Sequence, residues 1–325
     1  MQSAPRTLVV LGTGGTIAGS AASADDNVGY RAATLPVASL VSSLAVPDGV
    51  VVDSEQVAQL DSKDMDFATW RIVAQRVAAH LARPEVAAIV VTHGTDTLEE
   101  TAYFVQRVVA PGKPVVFTAA MRPATSRLSD GPQNLADAVT VALSPGACGV
   151  VVVVAGHVHS ALEVRKVHPY RLDAFGSGDA GAIAHVEEGR LRALRPWPRG
   201  PASALRVDRL PSDSSRWPWV AIVTSAAGAD ARAVRALVDA GCAGIVVAAT
   251  GNGRVHAALE APLREAMARG CAVLRSTRCL DGTVIDATEA PTGDIPSAGA
   301  LTPQQARVEL IVRLLSGRRQ ADVVS

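Results

Sequence analysis

The chain has 325 residues, room for two domains of ordinary size. It is 48% hydrophobic and 19% charged, with 31 basic against 31 acidic residues, which suits a soluble globular protein. That balance does not suggest a nucleic-acid surface, and apolar runs such as Val150–Ala155 fall far short of the ~20 residues of a membrane span.

The opening Met1-Gln2-Ser3-Ala4-Pro5-Arg6 shows no apolar leader core and no small-residue cleavage site, so a cytoplasmic setting is expected. The first predicted strand, Thr7–Leu11, ends in Gly12-Thr13-Gly14-Gly15-Thr16-Ile17-Ala18-Gly19. A glycine-rich turn after a first strand suggests a dinucleotide site, but isoleucine at 17 breaks the G-x-G-x-x-G spacing. Ser20 to Tyr30 is small and polar and opens no helix. It reads as a mobile loop, a common place for a lid. Thr16 then stands where a strand-end nucleophile would stand, although a glycine turn with incidental threonines accounts for the same residues.

A second strand is predicted at Val50–Val52, followed by Asp61-Ser62-Lys63-Asp64-Met65. Phe67, Trp70, Ile72, Val73, Val77 and Leu81 recur at helical spacing, which predicts a helix over Phe67–Leu81. The third strand, Ala88–Thr92, runs into Thr92-His93-Gly94-Thr95-Asp96-Thr97-Leu98-Glu99-Glu100-Thr101 and a helix over Leu98–Val109. Thr97 with Glu100 fits a capping box, and Asp96 is an alternative cap. A cap does not by itself require the whole His-Gly-Thr-Asp-Thr run. The start of a helix also offers free N–H groups for a carboxylate or an oxyanion.

Further strands are predicted at Val115–Thr118 and Val150–Val154, with a helix over Asn134–Leu143 between them. Asp130 and Asn134 read as fixing that helix start. His157, His159 and His168 read as belonging to a polar loop after the fifth strand, without the partners of a metal site. Arg165 and Arg171 read as solvated or structural. Strands alternating with helices imply a mostly parallel sheet covered on both faces, with ligands beyond the carboxyl ends of the strands.

Between Arg195 and Trp219 five prolines interrupt the pattern. We therefore divide the chain into an N-terminal α/β catalytic domain (1–195), a linker (196–218) and a smaller C-terminal α/β domain (219–325). In the last, Val220–Thr224, Ile245–Ala248 and Ala272–Arg275 are predicted strands, and Ala231–Ala240 and Leu259–Ala268 helices. A final helix is capped by Thr302, has Pro303 in its first turn, and runs to about Leu315 before Gly317 stops it. Cys148, Cys242, Cys271 and Cys279 form no Cys-x-x-Cys pair and read as buried, reduced residues.

Two segments taken together resemble a known family. Gly14-Gly15-Thr16-Ile17-Ala18 and Thr92-His93-Gly94-Thr95-Asp96-Thr97-Leu98-Glu99-Glu100-Thr101-Ala102 look like the two signature motifs of bacterial-type L-asparaginases. Asp61–Met65, Ala120-Met121-Arg122-Pro123, Asp130–Leu135, Gly251-Asn252-Gly253 and Leu301–Arg307 extend the likeness over nearly the whole chain. The resemblance implies two α/β domains and intimate dimers that pair into tetramers. It implies sites between the N-domain of one subunit and the C-domain of its neighbour. The implied reaction converts asparagine, and more slowly glutamine, to the acid and ammonia without a cofactor or metal. By the same likeness Thr16 is the nucleophile, assisted by Tyr30. Thr95, Asp96 and Lys166 form a second cluster, Ser62 takes the substrate's α-carboxylate and Asp96 its α-ammonium group. Glu289 lies near an acidic position through which a neighbouring subunit contacts that ammonium.

These roles make chemical sense. A threonine hydroxyl is a weak nucleophile until a neighbour takes its proton. A lysine acts as a base only when burial or nearby charge lowers its pKa, and an anion such as Asp96 works against that. The residues leave both threonines open as the attacking group, with Thr16 placed first. Lys63, where some members have glutamine, and Arg254, where certain members have asparagine, leave the asparagine-to-glutamine preference open. Against a nucleotide-binding oxidoreductase or kinase stand the broken glycine spacing and the lack of Gly-Lys-Thr or Gly-Lys-Ser. A non-catalytic amino-acid sensor would be marked by loss of Thr16, Thr95 or Lys166, and all three are present. The asparaginase-like subunit of a tRNA-dependent amidotransferase carries an additional N-terminal domain, which is not expected here.

Overall fold

The computed structural model describes residues 6–42, 44–199, 205–287 and 294–317. The chain divides into two compact units, Met1–Ala202 and Ser203–Ser325. The first holds β1 (Arg6–Gly14), α1 (Val37–Val41), β2 (Val50–Leu60), α2 (Phe67–Leu81), β3 (Val86–Thr92), α3 (Leu98–Val109), β4 (Pro114–Thr118), α4 (Gly131–Leu143) and β5 (Gly149–Val154). There follow β6 (His157–Ser160), β7 (Arg165–Lys166), β8 (Phe175–Gly176), β9 (Ala184–Glu187) and β10 (Arg190–Ala193). Eight strands form one sheet in the order β10-β9-β6-β5-β4-β3-β1-β2. β2, β1, β3, β4 and β5 are parallel, and β6, β9 and β10 extend the sheet in antiparallel fashion.

The central strands are apolar along their length because both faces are covered. Leu8, Val10, Val90 and Val116 pack against Leu135 and Val139 of α4 on one face. α2 and α3 are bound together by Trp70 stacked on Phe104 at 4.9 Å and by Trp70 Nε1 donating to Thr101 Oγ1 at 3.0 Å. α2 begins where Asp66 Oδ1 accepts the Thr69 N–H at 2.8 Å. Both helices span the residues that their periodicity predicts.

Three expectations about the extent and kind of these elements need correction. β2 runs to Leu60 rather than stopping at Val52. It is the edge strand and half exposed, so polar Asp53, Ser54, Glu55 and Gln56 continue it where an apolar run would have ended. The segment after the fifth strand is not a polar loop. His157 and His159 lie on β6, and His157 pairs across the sheet with His185 of β9. α4 begins at Gly131, three residues before Asn134, with Pro132 in its first turn.

The second unit holds β11 (Val220–Thr224), α5 (Arg232–Asp239), β12 (Gly244–Ala249), α6 (Ala257–Ala268), β13 (Ala272–Thr277) and α7 (Pro303–Leu315). β11, β12 and β13 form a parallel sheet in that order. Val234 of α5 and Leu259 and Leu263 of α6 pack on Ile245, Val247 and Val273. A Cβ on Gly244 would lie 2.9 Å from Leu310 Cδ2 of α7, so the bare glycine lets that helix close on the strand. In the turn after β12, Asn252 exchanges two hydrogen bonds with the main chain of Ile285, at 2.9 and 2.7 Å. Within the stretch 196–218, Leu210 and Trp217 are buried and two short 3-10 turns occur, Val207–Arg209 and Ser214–Arg216. Cys148, Cys242 and Cys271 are buried, whereas Cys279 is exposed, against expectation. Among the described residues no helix is long and apolar enough to cross a membrane.

Thr302 and Gln305 cap each other's backbone in a complete capping box at the start of α7. Thr302→Ala is expected to cost about 1 kcal/mol. A matching drop in the urea midpoint of unfolding checks it.

Candidate active site

From β1 the chain crosses to β2 on one side and then to β3 on the other, so β1 and β3 part their connections in opposite directions. Such a switch point opens a crevice at the carboxyl ends of the strands. Gly14 and Gly15 leave β1 with φ of 102° and 78°, in the region that glycine alone enters freely. They turn the chain into the 3-10 turn Thr16–Ala18. A Cβ on Gly15 would stand 2.3 Å from Gly94 Cα, and one on Gly94 would stand 2.4 Å from Ser62 Oγ. The loops after β1, β2 and β3 are therefore stacked directly on one another.

That stacking brings together five of the residues expected to matter. Thr16 is buried, and its Oγ1 lies 2.7 Å from Tyr30 Oη. Tyr30 sits on a loop closed by paired main-chain bonds between Ser20 and Arg31, at 2.9 and 2.8 Å. The same loop is tied to the segment after β4. Ser126 Oγ donates to Asn27 Oδ1 at 2.6 Å, the Ala21 N–H donates to Thr125 Oγ1 at 2.8 Å, and Arg127 pairs with Asp25. Ser62 Oγ accepts the Asp96 N–H at 3.1 Å, and Ser62 O accepts Thr97 Oγ1 at 2.7 Å. The expected Thr97 cap is thus not made. Its hydroxyl is diverted to hold the turn after β2, and α3 starts without a side-chain cap bond.

Lys166 enters from β7. Its Nζ donates to Thr95 Oγ1 at 2.8 Å and to Asp96 Oδ1 at 2.6 Å. Its main-chain N–H donates to Glu99 Oε2 at 2.5 Å. The lysine side chain is 18% exposed and that of Asp96 53%, so the pair faces outward. Behind it Glu99 is buried in the first turn of α3, and burial pushes its carboxyl up to about 7 from the usual 4.5. His93 is wholly buried with Nδ1 on Gly94 O at 2.7 Å, and burial holds its pKa down at about 4. Burial therefore favours the neutral form of the ring.

The other candidates lie elsewhere. Asp130 accepts the N–H groups of Met121 and Arg122, and Asn134 joins Ala119 O, Asp130 and the Ala155 N–H, which fixes the start of α4. His168 Nδ1 accepts the N–H groups of Tyr170 and Arg171 in a turn. Lys63 is paired with Asp64 and Asp61. Among the described residues no group of three or more His, Cys, Asp or Glu side chains has the arrangement of a metal site. Glu289 lies outside the described residues. Reading by residue type missed Gly94 and Glu99. The adjacent Gly14-Gly15 and His93-Gly94 were the available signal for the first, and nothing local marks the second.

Two predictions follow from this geometry. Gly15→Ala forces a side chain into Gly94 at a positive φ, which is expected to cost about 1–3 kcal/mol in urea unfolding and to lower turnover with it. Glu99 binds a proton more tightly folded than unfolded, so between pH 4.5 and about 7 the folded state holds the extra proton and stability falls as pH rises. Glu99→Gln cannot titrate. The difference in melting temperature between variant and parent should therefore move in favour of the variant from pH 5 to pH 8, and a difference independent of pH would refute it.

Comparison with known proteins identifies the family. Residues 7–199 match the family model "Asparaginase, N-terminal", and residues 219–325 match "Glutaminase/Asparaginase C-terminal domain". The chain is 36% identical over 313 residues to L-asparaginase 2 of Escherichia coli, covering 94% of this chain and 88% of that one. It is 35% identical over 316 residues to a glutaminase-asparaginase of Pseudomonas fluorescens, covering 94% and 86%. The crystal structure of a probable cytoplasmic L-asparaginase from Campylobacter jejuni superposes with a TM-score of 0.91 at 33% identity, covering 98% of each chain. The chain belongs to the bacterial-type asparaginase/glutaminase family.

Proposed function

We propose that this protein is an L-asparaginase that hydrolyses L-asparagine to L-aspartate and ammonia, with weaker action on L-glutamine. The observation that carries the reading is the stacking of Gly15 on Gly94. It joins a half-buried threonine–tyrosine hydroxyl pair and a lysine–threonine–aspartate cluster at the same sheet switch point. In this reading Thr16 Oγ adds to the side-chain amide carbon of the substrate as its proton passes to a neighbour. The C–N bond breaks, ammonia leaves with a proton, and water then cleaves the ester to release aspartate and restore Thr16. Tyr30 is the first acceptor in hydrogen-bond reach of the threonine. Lys166 with Thr95 and Asp96 forms the second cluster, for proton movement in either half of the reaction. N–H groups around Thr95 would hold the developing oxyanion, typically worth ~3–4 kcal/mol.

Ser62 is our choice for the substrate's α-carboxylate and Asp96 for its α-ammonium group, with Glu289 of a neighbouring subunit assisting. Such paired contacts orient the amide toward Thr16, and orientation counts as much as proton transfer. No cofactor enters this scheme. A sensor on the same fold would have no need of the Thr16–Tyr30 contact or of a lysine aimed at Thr95. The family resemblance, with Ile222 exposed on the edge strand β11 and Trp219 exposed just before it, supports a homo-oligomer, a dimer of dimers. Light scattering reads that directly. A cytoplasmic setting is part of the reading, supported by unpaired Cys148, Cys242, Cys271 and Cys279, and cell fractionation tests it.

The decisive assay is ammonia release from L-asparagine, L-glutamine and D-asparagine in parallel. Release is expected to be fastest from L-asparagine. Thr16→Ala should abolish it while leaving the melting temperature within a few degrees of the parent, because a strand-end hydroxyl adds little to the core. A folded, fully active Thr16→Ala protein would sink the assignment.

A further inference from the structure

Lys166 is held by a strand of only two residues. β7 pairs with β8 through Arg165 against Gly176 and Lys166 against Phe175, and beyond that two-residue ladder only the Val167 and His168 N–H groups, both donating to Ala174 O at 2.8 and 3.2 Å, continue the hairpin. Two residue pairs are a weak frame for a long, flexible side chain whose amine must meet two oxygens at once. α3, in contrast, is a twelve-residue helix with nine buried residues, wedged against α2 through the Trp70–Phe104 stack. The link between the weak strand and the rigid helix is Glu99. It stands in the first turn of α3 and is 8% exposed, and its Oε2 accepts the Lys166 main-chain N–H at 2.5 Å. The two partners of the lysine amine, Thr95 and Asp96, precede Glu99 by four and three residues in the same segment. Residues 95–99 therefore grip Lys166 at both ends, by its peptide group and by its amine.

We propose that Glu99 is a positioning residue for Lys166: its buried carboxyl anchors the lysine main chain to α3 and so fixes the distance of Nζ from Thr95 and Asp96. The inference rests on the reading of Lys166 given above. Burying a carboxyl is costly unless it is well bonded, and a helix tied to a strand through so expensive a group gains only if the strand must not move. A tail-end contact at Nζ alone would leave the amine free to swing with its four-carbon stem. With the peptide pinned as well, only the stem torsions remain, and the short β7 is no longer the weakest part of the cluster.

The test compares kcat and KM for L-asparagine in four folded variants. Glu99→Met matches the volume but accepts no hydrogen bond from the peptide. It is expected to lower kcat by about a hundredfold, the cost of an ångström-scale misplacement, with KM unchanged. Glu99→Gln retains an accepting oxygen at the same reach and should recover most of that loss, a rescue that simple loss of packing would not give. Parent-like kcat in Glu99→Met, or equal impairment of Met and Gln, overturns the proposal. If Glu99→Met fails to fold, Glu99→Asp decides, because it keeps the acid and withdraws it by one methylene. A fall in kcat at constant KM supports the anchor, and parent kcat overturns it. Lys166→Met separates the two readings. If it stays active, the role of Lys166 itself has failed; if it is inactive while Glu99→Met is unimpaired, only the anchor has.

Discussion

Everything in the first unit that bears on chemistry depends on one contact between two bare backbones. Gly15 and Gly94 approach so closely that neither has room for a methyl group, and Gly94 in turn lies against Ser62. The contact needs no attraction of its own. It is the absence of side chains that lets the exits of β1, β2 and β3 overlap at the sheet's switch point. Once they overlap, Thr13 Oγ1 reaches Thr92 O at 2.9 Å and Ser62 Oγ reaches the Asp96 N–H. The sheet supplies rigidity, and the glycines convert it into proximity.

How much of this was legible in the sequence depends on where the determining forces act. α2 and α3 were readable to the residue because their apolar faces recur at helical spacing. β1, β3, β4 and β5 were readable because strands covered on both faces must be apolar throughout. β2 was not, since an edge strand exposed to water carries Asp53 to Gln56 without penalty. β7 and β8 leave no trace at all, because two-residue strands exist only through tertiary pairing. The site shows the same division. Thr16, Thr95, Asp96 and Ser62 follow strand ends and could be named from position and motif. Glu99 looked like one more helix-forming glutamate, and only the fold reveals that it is buried and occupied by a distant peptide.

Local rules are broken where the site requires it. Thr97 is well suited to cap α3, yet its hydroxyl is spent on Ser62 O, and a cap of that kind is worth about 1 kcal/mol. Glu99 sits at the helix end where a carboxylate is favoured by the dipole, but in surroundings that favour its neutral form. Neither arrangement maximises the stability of α3. Both tie the beginning of that helix to its neighbours, and departures from local preference that serve geometry are expected to gather at functional sites.

The distances along the chain have a temporal meaning as well. Thr13 and Thr92 are 79 residues apart, and Lys166 and Asp96 are 70 apart. Contacts of such long range close slowly, since a large loop must lose its entropy before the contact stabilises anything. α2 and α3 can form while the strands are still unpaired. A refolding chain would therefore recover its helical signal well before any enzymatic competence. The Lys166 cluster has no precursor within one segment of the chain, and its contacts wait for the sheet to form.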